Sequence, residues 1–186
     1  MGSTARRSSG SWTVEVTATS AHSSGVFTQA SGYGAIYELA RILDQFRREL
    51  REDKLTYNVG LIGGGTSAKL DQGRIRMEAT GKTNIIPPTA VARGDLRAID
   101  PAQIERTQAK MRAIVAQSLP GAKATITFDD DGYPPMPPTA GNRAILDALN
   151  GVNRDAGFPV MSSRSGSGLV SPMSRKNPDD LLTSSA

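Results

Sequence analysis

Few residues in this sequence could do acid–base or metal chemistry. The chain contains one histidine, His22, in the segment AHSSG, and no cysteine. Without cysteine it forms neither a disulfide nor a thiolate zinc site. A histidine can donate a hydrogen bond to a developing oxyanion, although a single loop histidine can also be without any chemical task. His22 is therefore a candidate whose role depends on the residues around it.

Two other motifs resemble ligand sites only in part. The triple glycine Gly63–Gly65 lacks the GK[ST] ending of a phosphate-binding loop, and no predicted helix follows it. The end of a strand, or a close approach of backbones, explains these glycines better. The acidic run Asp129–Asp131 lacks the spacing of an EF-hand calcium loop. We interpret it as a solvated strand end.

The elements that must position these residues begin near Trp12. Residues 1–11 are polar and rich in serine, and they are predicted to be a flexible lead-in. Trp12, Val14 and Val16 then alternate with polar residues, which is the period of a half-buried strand. From Gly34 the apolar residues recur at helical spacing with charges on the opposite side, which predicts an amphipathic helix.

Three further strands are predicted before the second helix. Thr56–Ile62 alternates apolar and polar residues and forms the first of them. Residues 75–79 suggest a short extra strand, and residues 91–96 a longer one with a bulge at Gly94.

The second helix opens at Asp100 and Pro101, an N-cap residue followed by a proline at the first helical position. Gln103 is placed to reach back toward the cap. The helix ends before Pro120 and Gly121, and residues 124–128 form the last strand. This order predicts an α+β fold over residues 12–131: a ferredoxin-like four-stranded antiparallel sheet with two helices on one face.

The C-terminal part is predicted to lie outside this domain. Residues 132–159 form a proline-rich linker and a helix over Asn142–Asp155. The apolar face of that helix has no predicted partner, which favours self-association. Residues 160–186 are rich in serine, glycine and proline, and we expect a disordered tail.

Composition limits the partners and the compartment. The net charge is +4, but basic residues are scattered and aromatic residues make up only 5% of the chain. This pattern is typical of a solvated surface rather than of nucleic-acid binding. No apolar run is long enough to span a bilayer, and no export signal is visible, so the expected location is the cytoplasm, without a membrane partner.

Three stretches in order resemble one family. They are AHSSG at residues 21–25, GYGAIYELARIL at the start of the first helix, and NIIPPTAVARGDLR at residues 84–97. Together they resemble the lid, or dimerisation, domain of the two-zinc peptidase/aminoacylase family, which includes glutamate carboxypeptidase, succinyl-diaminopimelate desuccinylase and bacterial dipeptidases. The resemblance covers about residues 5–158.

The resemblance implies roles for three residues. His22 would reach in trans into the active site of a second subunit and stabilise the oxyanion of the scissile carbonyl. Asn84 and Arg97 would bind the free carboxylate of the substrate, the guanidinium through two charge-assisted hydrogen bonds. A simpler explanation stays open for each residue. His22 could be a loop histidine without a chemical role, and Asn84 an ordinary turn residue before Pro87. Arg97 could form an ion pair with Asp95.

The resemblance also implies a catalytic domain with two zinc ions, into which the lid is inserted. With one histidine and no cysteine, this chain is not expected to assemble such a site, and we assign it no metal ligand and no cofactor. Residues 132–159 resemble the start of the returning catalytic segment. We therefore expect a chain separated from its catalytic half and inactive alone; a full-length relative could be periplasmic.

The expected assembly is a homodimer through the sheet edge, with Thr56–Ile62 as the edge strand, and through the first helix. The alternative is a free-standing ferredoxin-like module that binds a small ligand or regulates a partner, and it predicts ligand-dependent stabilisation without zinc. Nucleic-acid binding would need more sheet-face aromatic residues than Trp12 and Tyr57. Fold alone does not choose between these functions.

Overall fold

The protein is built on a main sheet that carries helices on one face. A computed structural model describes residues 2–129 and 132–165. In chain order the elements are β1 (Gly2–Ala5), β2 (Gly10–Ala18), α1 (Ala35–Glu49), β3 (Thr56–Gly65), β4 (Ser67–Leu70), β5 (Met77–Thr80), β6 (Thr89–Arg97), α2 (Pro101–Ala116), β7 (Ala122–Phe128), α3 (Ala140–Asp155) and β8 (Ser163–Ser165).

The main sheet has four strands in the order β3-β6-β2-β7, and each neighbouring pair is antiparallel. This confirms the predicted α+β class and the four-stranded antiparallel sheet. Alternating apolar and polar residues predicted β2 as a half-buried strand. In the structure Trp12, Val14 and Val16 are buried, whereas Glu15 and Thr17 are exposed.

The core lies between one face of the sheet and the helices α1 and α2. Both helices contribute to the same buried cluster as β2, with Leu39, Ile42 and Phe46 from α1 and Met111 from α2. The ring of Trp12 meets that of Phe46 edge-on, with 5.7 Å between centroids. We call this the helix face of the sheet, and the opposite side the open face.

The segment between β3 and β6 differs from the predicted single short strand. The strand predicted at residues 75–79 is β5, which pairs antiparallel with β4 in a separate two-stranded hairpin. The hairpin lies on the open face: a Cβ at Gly63 would come within 2.2 Å of Met77 Sδ. Gly63 is thus needed for a close approach of the hairpin, which is one of the two explanations offered by the sequence.

The bulge predicted at Gly94 is not there. Gly94 pairs in regular register with Trp12 on one side and with Val59 on the other. The irregularity lies on the neighbouring strand, between Val59 and Leu61. Glycine is required at position 94 by the close approach of β3 rather than by a bulge, because a Cβ there would lie 1.9 Å from Asn58 O.

The two ends of the described chain lie together. In the predicted lead-in, Gly2–Ala5 forms β1, which pairs parallel with β8, and Arg6 bridges to Met136. In α3, only Leu146 is buried, while Ile145, Leu149 and Val152 are exposed. Of the tail predicted to be disordered, residues 163–165 form β8, and residues 166–186 lie outside the described residues.

Candidate functional site

His22 lies in the loop that follows β2. It caps a short 3-10 turn, Ser23–Gly25: its Nδ1 accepts a hydrogen bond from the Ser24 amide at 3.2 Å and lies 2.9 Å from Ser24 Oγ. Because Nδ1 accepts from a backbone N–H, the proton of the neutral ring is assigned to Nε2. The side chain is exposed. The loop therefore presents an imidazole N–H donor to the outside of the domain.

Asn84 lies next to His22. It occupies a turn in which the Ile85 amide donates to Lys82 O at 3.2 Å, and Ile85 forms a bridge with His22. The Ser23 amide donates to Asn84 O at 2.9 Å. Asn84 is itself exposed. The structure thus brings two of the three predicted site residues to one end of the main sheet, although they are 62 residues apart in sequence (84 − 22).

A shallow hollow of about 340 Å³ borders this end of the sheet. Backbone from the end of β3 and the start of α1 forms one side, and the Asn84 turn forms the other. Its lining residues are Ile36, Gly64, Gly65, Thr66, Gly81, Lys82, Thr83, Ile85 and Pro87. Sequence reasoning missed Lys82 and Thr83, which have no motif of their own; only their place directly before Asn84 could have suggested them.

Arg97 lies at the other end of the sheet. It is the last residue of β6, a nine-residue strand that begins at Thr89 on the Asn84 side. An extended strand rises about 3.3 Å per residue, so about 26 Å separates Thr89 from Arg97. Within one chain, Arg97 therefore does not converge with His22 and Asn84.

The ion pair proposed as the simple explanation of Arg97 is present. Its Nε donates to Asp95 Oδ2 at 2.9 Å, and both side chains are about two-fifths exposed. This hydrogen bond raises the pKa of the Arg97 guanidinium above its ordinary value. Among the described residues, no hydrogen-bond partner lies at either Nη of Arg97. The outer edge of the guanidinium therefore keeps its hydrogen-bond donors available to an anionic group.

Arg7 is a second guanidinium at the Arg97 end. Thr56 pairs in register with Arg97, and Arg7 Nη1 donates to Thr56 Oγ1 at 3.0 Å. The sequence placed Arg7 in a flexible lead-in, because nothing local shows that residues 6–9 run beside the sheet. Their backbone bonds, such as Ser8 N to Ala98 O at 2.7 Å, arise only in the folded chain.

The described residues do not fit a two-zinc centre. In the part of the chain that the structure covers, no three His, Cys, Asp or Glu side chains are grouped to hold a metal ion. The donor set is also unsuitable, since imidazole comes from His22 alone. In the same described part, no helix is long and apolar enough to cross a membrane.

Comparison with known proteins bears on both fold and family. The family described as "Peptidase dimerisation domain" matches residues 4–123. No curated protein matches the sequence.

Among solved structures, the chain is similar to a tripeptidase from Staphylococcus aureus, with 18% identity, a TM-score of 0.61, and coverage of 89% of this chain and 39% of that one. It is also similar to aminopeptidase PepT from Bacillus cereus, with 18% identity, a TM-score of 0.63, and coverage of 90% and 41%. A hydantoinase/carbamoylase-family amidase from Burkholderia multivorans has 17% identity, a TM-score of 0.59, and coverage of 89% and 36%.

The similarity to solved structures and the family match support different conclusions. At such identities the solved structures show a shared fold alone, and the chain spans about two-fifths of their length. The family match is independent of them and covers well over half of the chain, from β1 to the start of β7. The chain therefore belongs to the peptidase dimerisation domain family.

Proposed function

We propose that this chain is the lid and dimerisation domain of a zinc-dependent hydrolase of the carboxypeptidase/aminoacylase type, related to glutamate carboxypeptidase and succinyl-diaminopimelate desuccinylase. The substrate class is an amide next to a free carboxylate. The observation that carries the proposal is the meeting of His22 and Asn84 in one exposed end of a family-matched domain. The strand order β3-β6-β2-β7 with both α1 and α2 on one face supports a ferredoxin-like topology.

In this proposal the site is shared between two subunits. The His22 and Asn84 of one chain contact the substrate in one active site of the dimer, and the Arg97 of that chain contacts the substrate in the other. One substrate cannot contact both groups of the same chain, because the length of β6, about 26 Å, separates them. Nε2–H of His22 donates to the carbonyl oxygen as negative charge develops there. Arg97 uses its two Nη groups to bind the substrate carboxylate, while Asp95 holds its Nε. A two-fold dimer places both ends at each site.

The dimer surface that we propose is the outer edge of β3 together with the first turns of α1. In the described part of the chain, β3 has a hydrogen-bonded neighbour on one side only. Four apolar or aromatic side chains on these elements are exposed: Ile36, Tyr37, Val59 and Ile62. An unpaired edge with an apolar border suits the pairing of two β3 strands into one continuous sheet.

The first test is the oligomeric state of an edge variant. Ile62 is 58% exposed on β3, and lysine there would place a charge in the proposed interface. We expect Ile62→Lys to weaken self-association at least about tenfold in sedimentation velocity, as a buried unpaired charge does. Ile75→Lys is the matched control, since Ile75 is 85% exposed on the hairpin, away from the edge. A wild-type chain that stays monomeric, or equal effects of both changes, would count against this interface.

The second test separates the domain from the catalytic half. Hydrolysis of a panel of N-acyl amino acids and dipeptides with C-terminal glutamate is measured with added zinc, together with metal analysis of the same sample. We expect neither turnover nor stoichiometric zinc, because one histidine cannot supply the ligands of a two-zinc site. Turnover with two bound zinc ions per chain would overturn the proposal.

The alternative function is a free-standing module that binds a small ligand or regulates a partner. One feature favours it: a groove of about 800 Å³ between the end of α1 and β3, bordered by Arg47, Arg51 and Asn58. This alternative predicts that a small anionic ligand raises the unfolding temperature without zinc. The same β3 edge borders this groove, so dimer formation and ligand binding there would compete.

A further inference from the structure

The hairpin of β4 and β5 is fastened to the main sheet at its tip. Arg74, in the turn between the two strands, contacts Asp129 through Nη1 at 2.5 Å and Thr13 Oγ1 through Nη2 at 2.8 Å. Arg93 on β6 contacts the same two residues, with Asp129 Oδ2 at 2.6 Å and Thr13 Oγ1 at 3.0 Å. Two guanidinium groups thus share one carboxylate and one hydroxyl on the open face.

This cluster, which we call the latch, is largely shielded from solvent except at Arg74, whose side chain is 38% exposed. The Asp129 side chain is 11% exposed and that of Arg93 is 16% exposed. Asp129 is thus not the solvated strand end that the sequence predicted, and residues 130–131 lie outside the described residues. Thr13 is 1% exposed. Arg74 also adopts a left-handed backbone conformation, with φ 56°, which a non-glycine residue rarely does without tertiary contacts that hold it. The tip of the hairpin is therefore fixed by specific bonds to two strands of the sheet.

The root of the hairpin leads directly to the candidate site. β5 ends at Thr80, paired with Ser67, and four residues later the chain reaches Asn84. The root is tightly packed, since a Cβ at Gly65 would lie 2.3 Å from Thr80 O. Two backbone hydrogen bonds then tie the Asn84 turn to the His22 loop: Ser23 N to Asn84 O at 2.9 Å, and Ile86 N to Ala21 O at 2.8 Å.

We propose that Arg74 is a positioning residue, which acts through the hairpin to hold Asn84 and the His22 loop in place. This inference rests on the site role of Asn84 and His22 proposed above. The hairpin connects a fixed point, at Thr13 on β2 and Asp129 directly after β7, to the exposed Asn84 turn. On its other side this turn is anchored by Ile86, which is 2% exposed. When the latch opens, the hairpin root loses its distant attachment, and the Asn84 turn and the bonded His22 loop move with it.

The experiment is amide hydrogen exchange by NMR on the chain as it is, for wild type, Arg74→Gln, Arg74→Lys and Arg76→Gln. Arg76 is the matched control: it lies on the same turn and is exposed, and it forms no ion pair among the described residues. In Arg74→Gln we expect at least tenfold faster exchange of the Ser23 and Ile86 amides, with altered His22 ring shifts. Arg74→Lys restores part of the protection, and Arg76→Gln leaves both amides at wild-type rates.

Two results would overturn the inference. One is faster exchange confined to the turn around Ile75, with Ser23 and Ile86 unchanged. The other is an equal rise at Met111, a fully buried residue in the middle of α2, which would mean loss of global stability rather than coupling through the hairpin. Asp129→Asn removes the ion pairs of both Arg74 and Arg93, so it must speed exchange at Ser23 and Ile86 at least as much as Arg74→Gln does. None of these measurements depends on turnover or dimer formation, so failure here is distinguishable from failure of the proposed function.

Discussion

Replacing Glu38 by glutamine is expected to lower the free energy of unfolding by about 3 kcal/mol, although the two side chains have nearly the same shape. Glu38 on α1 is fully buried. Its carboxylate accepts from Arg41 Nη2 at 2.6 Å, from Arg41 Nε at 3.0 Å and from the Leu119 amide at 3.0 Å. Glutamine would remove the negative charge and direct an amide donor toward donors.

The expected cost is large because Arg41 would lose its charge partner while staying mostly buried, with 20% of its side chain exposed. The Arg41 guanidinium also donates to Ile114 O and Gln117 O at the end of α2. The pair thus joins α1 to the turn after α2. That turn supports the strand leading to His22, since the Thr19 amide donates to Gly121 O at 3.0 Å.

Urea unfolding followed by circular dichroism measures this loss. The control is Asp44→Asn, the same carboxylate-to-amide change on the same helix. Asp44 pairs with Arg47 and Arg48, but it is exposed, so we expect no measurable change. Equal midpoints for Glu38→Gln and wild type would show that neither the charge of the buried pair nor its hydrogen bonds stabilise the fold.

Gly94→Ala is expected to cost about 3 kcal/mol or more, at the upper end for overpacking of a core. A Cβ at position 94 would lie 1.9 Å from Asn58 O and 2.4 Å from Trp12 Cζ2. Neither atom can yield easily: Asn58 O is backbone of β3, and the Trp12 ring is fully buried against Phe46. The edge strand β3 would have to move away from β6 near the middle of their shared length.

Gly10→Ala is the matched control in the same sheet. A Cβ at Gly10 meets only Leu96 O, at an ordinary contact distance of 3.8 Å. Alanine there also restricts the unfolded chain, so stability should be unchanged or slightly higher. Thermal unfolding of both variants gives the comparison. Similar melting temperatures for the two would mean that the sheet adapts at Gly94 and that the close approach is not required.

The predictions that rest on short sequence patterns, such as strand alternation, helical spacing and a helix cap, agree with the structure. The alternation around Trp12 predicted β2, and the helical spacing after Gly34 predicted α1, which runs from Ala35 to Glu49. Asp100 caps α2 as predicted, with its side chain accepting from the Gln103 amide. Gln103 itself does not reach back to Asp100: its Oε1 accepts from Ile99 N, and its Nε2 donates to Glu52 and to Asp53 O. The two partners of Nε2 lie 51 and 50 residues away in sequence, so no local pattern could have predicted them.

The hairpin marks the limit of sequence reasoning more clearly. Its strand β5 was expected as an extra strand, but pairing with β4 depends on the turn at Asp71, whose side chain accepts from the Ile75 and Arg76 amides. These bonds lower the pKa of the Asp71 carboxyl below its ordinary value. Nothing in the sequence near Arg74 indicates that the turn contacts Asp129, because that contact exists only after β7 has joined the sheet.

The sequence by itself determined the class of the fold, the order and approximate positions of its main strands and helices, and the family resemblance carried by residues 21–25 and 84–97. These depend on side-chain periods, caps and short motifs, whose physics acts over a few residues. The tertiary structure decided where the site residues lie: His22 beside Asn84, Arg97 at the far end of β6, and Arg74 on Asp129. Such placements follow from strand order and register, which many weak contacts across the whole core select together.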